Sequence, residues 1–160
     1  METIISISEK KTLGLGKMMA ESQNPPSFLW LYGDLGCGKT VFSKGFAEGL
    51  GIPARQIKSP TFTLIRKYEV GKTLLYHCDF YRIQEPDELI SSDLEEMFHQ
   101  KNAIILIEWP ERVEKLLPKK RTNIFFEHLT PTQRKITIEN LWPKTFFKNF
   151  SFNIMSLFTF

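Results

Sequence analysis

The chain has 160 residues, 42% hydrophobic and 24% charged, with a formal net charge of +3. That length suits one domain with a real core and is too short for two of ordinary size, and no run of 18 apolar residues offers a membrane span. An excess of three positive charges permits contact with RNA or an acidic partner without pointing to either.

Two cysteines, Cys37 and Cys78, are too few for a disulfide framework and lack zinc-site spacing. The first residues mix apolar and polar types and place their charges after the apolar part, unlike a signal peptide, so a cytoplasmic protein is expected.

Residues 2 to 7 read as a first strand. Ser6, with Glu9 three positions on, matches a capping box for a helix reaching about Glu21, which the Asn24-Pro25-Pro26 cluster ends. FLWLY at 28–32 reads as a buried strand, the glycine-rich segment after it as a loop, and residues 39–50 as a helix stopped by Gly51 and Pro53. FTLIRKYEV and TLLYHCD, on either side of Gly71-Lys72, form a hairpin pattern with glycine where the turn needs positive φ.

Pro86 and Ser92 are each expected to begin a short helix. AIILI at 103–107 is the most apolar strand pattern, Pro110 can open another helix, and TNIFFEHL and RKITIEN supply two more strands. Strands and helices that alternate, with some hairpins, predict an α/β domain on a mixed β-sheet flanked by helices. No internal repeat or low-complexity linker interrupts it.

The domain is expected to occupy residues 1–142, followed by a Phe-rich tail at 143–160. Phe146, Phe150, Ile154 and Phe158 recur every four residues, as in an amphipathic helix docked on the domain or a partner, although the alternation also permits a strand. A terminal segment folded back on the core is the more ordinary reading, and the tail is too short and polar to cross a membrane.

Gly33-Asp34-Leu35-Gly36-Cys37-Gly38-Lys39-Thr40 fits G-x-x-x-x-G-K-[ST] and lies between a predicted strand and a predicted helix. Three glycines in six residues are costly in a purely structural segment. Here they let backbone N–H groups turn inward as a cradle for anionic oxygens, and a helix N-terminus adds unpaired donors. Lys39 would reach the β and γ phosphates, and Thr40 would offer its hydroxyl to Mg²⁺. Cys37 reads as a small side chain beside the phosphate path rather than a redox group.

Magnesium takes only one or two protein carboxylates beside nucleotide oxygens. Asp79 and Glu108 each end a predicted strand, where ligands gather in open α/β sheets. One would hold the metal or its water shell and the other would orient the attacking water. Ser59-Pro60-Thr61 sits where a switch segment or a plain loop is expected, and His77 reads by default as a structural histidine. Trp109-Pro110 stacks near the nucleotide or simply ends its strand. No Asn-Lys-x-Asp segment is present, so adenine is favoured over guanine.

GDLGCGKTVFSKG, SPTFTLIRKY, HCDFYRI and EWPER, in that order and spacing, resemble the bacterial TsaE family, the small ATPases of tRNA threonylcarbamoyladenosine synthesis, over roughly residues 5 to 140. The resemblance implies a P-loop NTPase-like fold, ATP and Mg²⁺ as cofactors, weak intrinsic ATPase activity, and action on a complex of TsaB and TsaD. In that complex a threonylcarbamoyl group passes to adenosine 37 of tRNAs reading codons that begin with A, so tRNA is an indirect partner.

Carried over by motif, Gly33 to Thr40 bind phosphate, with Thr40, Glu108 and Asp79 on the metal. Lys39, Asp79 and Glu108 would serve catalysis and Trp109 would lie near the nucleotide; by alignment outside those motifs, the resemblance also implies that Thr12 and Arg134 contact the nucleoside, Arg134 because the family often has an arginine opening its last strand. The chain departs from the family at Cys37, usually alanine, and at Val41, usually threonine, and the tail lies beyond the resemblance. Two other readings stay open. A small-molecule kinase would be expected to carry an arginine-rich lid, and no segment clusters arginines. A nucleotide-gated binding module has only the basic balance and the phenylalanines in its favour.

Overall fold

Residues 1–139 are described by a computed structural model; the Phe-rich tail and the boundary at 142 lie outside them. β1 (Glu2–Ser6), α1 (Glu9–Ala20), β2 (Phe28–Tyr32), α2 (Lys39–Gly49), β3 (Ile65–Val70) and β4 (Thr73–Asp79) are followed by α3 (Glu88–His99), β5 (Ala103–Glu108), β6 (Thr122–His128) and β7 (Arg134–Glu139). The seven strands form one sheet in the order β1-β7-β6-β2-β5-β4-β3. β6, β2, β5 and β4 are parallel, while β7, β1 and β3 join antiparallel, which is the predicted mixed sheet.

Side chains alternate across the two faces of each strand, and the burial follows that alternation. Leu29, Leu31, Leu75, Ile104 and Leu106 pack with Leu15, Met19, Phe42 and Phe46 of α1 and α2. Trp30, Tyr76, Cys78, Ile105 and Ile107 pack on the other face with Ile90, Leu94 and Met97 of α3. The same parity sends His77, Asp79 and Glu108 toward the α2 face.

α1 and α2 cross with their backbones nearly touching. A Cβ on Gly45 would lie 1.9 Å from the Leu13 carbonyl oxygen, and one on Gly16 would lie 2.2 Å from that of Phe42. Backbone cannot yield as a side chain can, so any larger residue would force the helices apart. That crossing fixes the start of α1, including Thr12, next to the start of α2.

Three local expectations are corrected. The cap of α1 is Ser8, whose Oγ accepts from the Lys11 amide at 3.3 Å, and not Ser6. Ser6 is still in β1 opposite Arg134, and its hydroxyl is occupied by the Ser8 carbonyl at 3.0 Å and Thr12 Oγ1 at 2.8 Å. Pro86 and Ser92 do not begin separate helices. Asp87 caps α3 by accepting from the Ile90 amide at 2.8 Å, and the stripe Ile90, Leu94, Met97 carries the helix straight through Ser92. Pro110 opens only a 3-10 turn, Pro110–Arg112, because Val113 departs to φ −130° and buries its side chain before an α-helical turn closes.

The hairpin keeps its two-residue turn, with Gly71 at φ 58°. Its first strand is shorter than the apolar pattern implied, because Leu64 turns to φ 61° and its amide bonds the Pro60 carbonyl at 2.6 Å. Among the described residues no helix is long and apolar enough to cross a membrane.

Candidate functional site

The loop from Gly33 to Gly38 joins β2 to α2 and runs through three positive-φ glycines, Gly33 at 137°, Gly36 at 77° and Gly38 at 107°. Only glycine adopts such angles without strain. Close contact adds to the requirement at two of them. A Cβ on Gly33 would sit 2.4 Å from the Phe126 carbonyl oxygen, and one on Gly38 would meet Arg134 Nε at 2.9 Å. Gly36 differs: among the described residues a Cβ there would meet nothing within 4 Å.

Asp34, Leu35 and Gly36 are exposed at the crest, and Leu35 is 67% exposed. α2 begins at Lys39 with no side-chain cap and no acidic residue in its first turn. Among the described residues the amides of Gly36, Gly38, Lys39 and Thr40 donate to no carbonyl or side chain. Uncapped donors and the positive end of the helix dipole therefore lie beside the exposed crest at Gly36, an arrangement that accepts an anion.

Lys39 is only 4% exposed. Its ammonium donates to the Gly33 carbonyl, to that of Asp34 at 2.9 Å and weakly to Cys37 Sγ at 3.7 Å, and lies 3.9 Å from the ring centroid of Trp109. Three carbonyl or sulfur partners and an aromatic face compensate the loss of water around the charge. Trp109 itself holds φ 61°, an uncommon conformation for a bulky residue, and stands 5.0 Å from Tyr81 ring to ring. The strained turn brings the indole to the loop instead of merely ending β5.

Glu108 ends β5 with 1% exposure. Its Oε2 accepts from Thr40 Oγ1 at 2.7 Å, while Oε1 takes His77 Nε2 at 2.7 Å and Ser43 Oγ at 2.9 Å. Burial alone would push this carboxyl up. The hydrogen bond and charge of His77, with the hydroxyls of Thr40 and Ser43, outweigh burial and hold it below the usual carboxylate range.

Asp79 is the Cα partner of Glu108 on the adjacent parallel strand, about 5 Å away by ordinary sheet spacing. Its Oδ2 accepts from Thr61 Oγ1 at 2.6 Å and its Oδ1 from the Tyr81 amide at 3.1 Å. Ser59 Oγ is 2.7 Å from Thr61 Oγ1, so the Ser59-Pro60-Thr61 loop is tied to the second acid. Phe62, next along this loop, is 82% exposed, with the Arg82 guanidinium 4.3 Å from its ring centroid.

Thr12 and Arg134 lie beneath the loop. Arg134 is 5% exposed, and its Nε donates to the Cys37 carbonyl at 3.0 Å and its Nη1 to that of Thr132 at 3.2 Å. Cys37 is buried, and that burial pushes its thiol pKa up, with the ammonium of Lys39 only partly offsetting it. A thiol held neutral there fits the packing role better than a nucleophilic one.

Gly33 to Thr40, Asp79, Glu108 and Trp109 thus meet at the carboxyl end of the parallel strands. Sequence reasoning missed Ser43 altogether and assigned His77 only a structural role. Ser43 stands three residues after Thr40 and four after Lys39 on one helix, a spacing that turns it to the same side. A cleft of about 700 Å³ on the opposite sheet face, lined by Thr3, Phe125 and Thr137, meets the loop only at Gly33 and Asp34 and is lined by none of Lys39, Thr40, Asp79, Glu108 and Trp109.

Among the described residues no group of three or more His, Cys, Asp or Glu forms a self-contained metal site. One hydroxyl and one or two carboxylates are instead a donor set for a hard cation that shares its remaining positions with water and a phosphate ligand.

Residues 6–136 match the family model described as threonylcarbamoyl adenosine biosynthesis protein TsaE. The chain is 41% identical over 132 residues to the tRNA threonylcarbamoyladenosine biosynthesis protein TsaE of Bacillus subtilis, covering 82% of this chain and 81% of the relative. It is 34% identical over 139 residues to the protein of that name from Rickettsia bellii, covering 87% and 94%. The crystal structure of Bacillus subtilis YdiB superposes with a TM-score of 0.74 at 33% identity, over 95% of each chain.

Proposed function

Because the chain belongs to the TsaE family of threonylcarbamoyl adenosine biosynthesis proteins, we propose that it is an ATP-binding and hydrolysing subunit of tRNA threonylcarbamoyladenosine formation. It serves position 37 of tRNAs reading codons that begin with A, and acts on a complex of the TsaB and TsaD proteins through which tRNA is engaged. The observation that carries this reading is the open, uncapped loop at Gly33–Thr40 beside the Thr40–Glu108 pair.

The residues fit a magnesium nucleotide on three counts. Among the described residues the space over Gly36 is free, the first amides of α2 are unspent, and the nearby oxygen donors suit Mg²⁺ rather than a softer metal. When bound, Mg²⁺-ATP supplies the phosphoanhydride bond that hydrolysis breaks.

The loop amides bind and orient the phosphates. Lys39 contributes a compact charge whose donors exchange the Gly33 and Asp34 carbonyls for phosphate oxygens. Thr40 and Glu108 would hold the cation, and Asp79, one strand away, would orient a water and accept its proton at Oδ1 or Oδ2. Trp109, stacked on the Lys39 ammonium, would cover one side of the site against bulk water, and Thr12 and Arg134, packed against Gly38 beneath the loop, are the residues that family resemblance assigns to the nucleoside.

Reconstitution tests the reading. The chain alone is expected to turn ATP over slowly, turnover should rise several-fold when TsaB and TsaD are added, and modified tRNA should form only when all three are present. ATP consumption that required a small-molecule acceptor would instead identify a kinase, and tRNA modification at the same rate without this chain would refute the role.

A further inference from the structure

We propose that His77 and Ser43 are positioning residues: together they pin one oxygen of Glu108 and leave the other, beside Thr40, as the oxygen that the carboxylate can present to a nucleotide-bound cation. This rests on the nucleotide reading above and deepens it by naming what sets the carboxylate's orientation.

The last torsion of a glutamate is broad and roughly two-fold, so an unrestrained carboxylate presents either oxygen. Each oxygen offers about two lone-pair positions. At Glu108 the two oxygens are treated unequally. Oε1 meets His77 Nε2 at 2.7 Å and Ser43 Oγ at 2.9 Å, which fills it, whereas among the described residues Oε2 meets only Thr40 Oγ1 at 2.7 Å.

The two groups on Oε1 come from different elements. His77 is fixed in β4, paired with Leu106 on one side and Arg66 on the other, and Ser43 is one turn into α2. The carboxylate is thereby clamped between sheet and helix. With side-chain exposures of 3% for His77 and 2% for Glu108, water has little room to replace either clamp.

An ionised carboxylate only accepts, so Nε2 carries the ring proton toward it. Ser43 has one proton and two acceptors in reach, Glu108 Oε1 and the Lys39 carbonyl at 3.0 Å, and the charged acceptor is the stronger. A histidine that merely packed in the sheet would make no demand on the cation.

The test is calorimetric titration of the full chain with ATP, in Mg²⁺ and in EDTA, for the wild type, Ser43→Ala, His77→Leu and His77→Gln. Affinity in EDTA should stay within about twofold of wild type, because the phosphate loop is untouched. The gain in affinity on adding Mg²⁺ should fall about tenfold in Ser43→Ala and His77→Leu, the scale of one charge-assisted hydrogen bond, and His77→Gln should recover most of it.

A Mg²⁺ gain that is unchanged in both Ser43→Ala and His77→Leu, or equal in the Gln and Leu variants, overturns the positioning role. Should His77→Leu not fold, Ser43→Ala decides by the same criterion. A wild type with no Mg²⁺-dependent gain overturns the nucleotide reading and this inference together, whereas a gain present in the wild type and retained in the variants overturns this inference alone.

Discussion

Lys39→Ala is expected to weaken ATP binding by at least about 100-fold, taking it out of calorimetric reach, because the side chain would supply two or more charge-assisted hydrogen bonds of about 1.5–3 kcal/mol each. Without nucleotide the Lys39 ammonium ties the carbonyls of Gly33 and Asp34 to the start of α2, and binding gives those two bonds up for phosphate oxygens, so what alanine removes from the bound state is the ligand charge itself.

Lys39→Arg is not a rescue. The ammonium sits at 4% exposure against two carbonyls, a sulfur and the Trp109 ring, and a planar guanidinium does not fit that space. Unaltered affinity in Lys39→Ala would remove the phosphate-loop assignment.

Glu108→Ala should cost on two counts, read separately by thermal unfolding and by turnover. Three donors, Thr40, Ser43 and His77, now converge on this carboxylate, and deleting it leaves buried polar groups without their acceptor at a cost of about 3 kcal/mol. Turnover should lose its dependence on Mg²⁺ concentration and fall by at least about tenfold.

The pH dependence of stability has a definite sign. Glu108 is held below its ordinary value in the folded chain, so its contribution is complete above the unfolded carboxylate range, near pH 4.3, and is lost as pH falls through its lower folded value. Glu108→Gln should therefore flatten the acid limb of a stability-against-pH curve. Asp79→Asn keeps an acceptor for Thr61 and should leave stability closer to wild type while still slowing turnover. Unchanged Mg²⁺ dependence and turnover in the variants of both acids would refute their assignment.

The parts of the fold that local chemistry dictates were readable in the chain. FLWLY, three glycines and a helix-starting lysine carry strand, loop and helix in their own residues, and the structure places them as β2, the Gly33–Gly38 loop and α2. Asp79 and Glu108 were recognisable because a carboxylate that closes an apolar strand must be met by water, a cation or hydrogen-bond donors at the sheet's edge.

What escaped was non-local or a contest between equals. Ser6 and Ser8 both carry a capping hydroxyl. The choice fell to Ser8 because β1 pairs with β7 as far as Ser6, a partner 128 positions away at Arg134. His77 looked structural because nothing beside it in sequence reveals that β4 and β5 run parallel in a register that brings Glu108 within 2.7 Å of its ring. Ser43 carried only a helical spacing. The bond from Arg134 to the Cys37 carbonyl likewise requires knowing that β7 reaches β2 through β6.

The measurement that bears most directly on the account is a crystal structure of this chain grown with Mg²⁺ and a non-hydrolysable ATP analogue. The β and γ phosphates are expected against the amides of residues 33–40, with the cation shared by Thr40 and Glu108. An empty loop, or the analogue seated on another part of the surface, would contradict it.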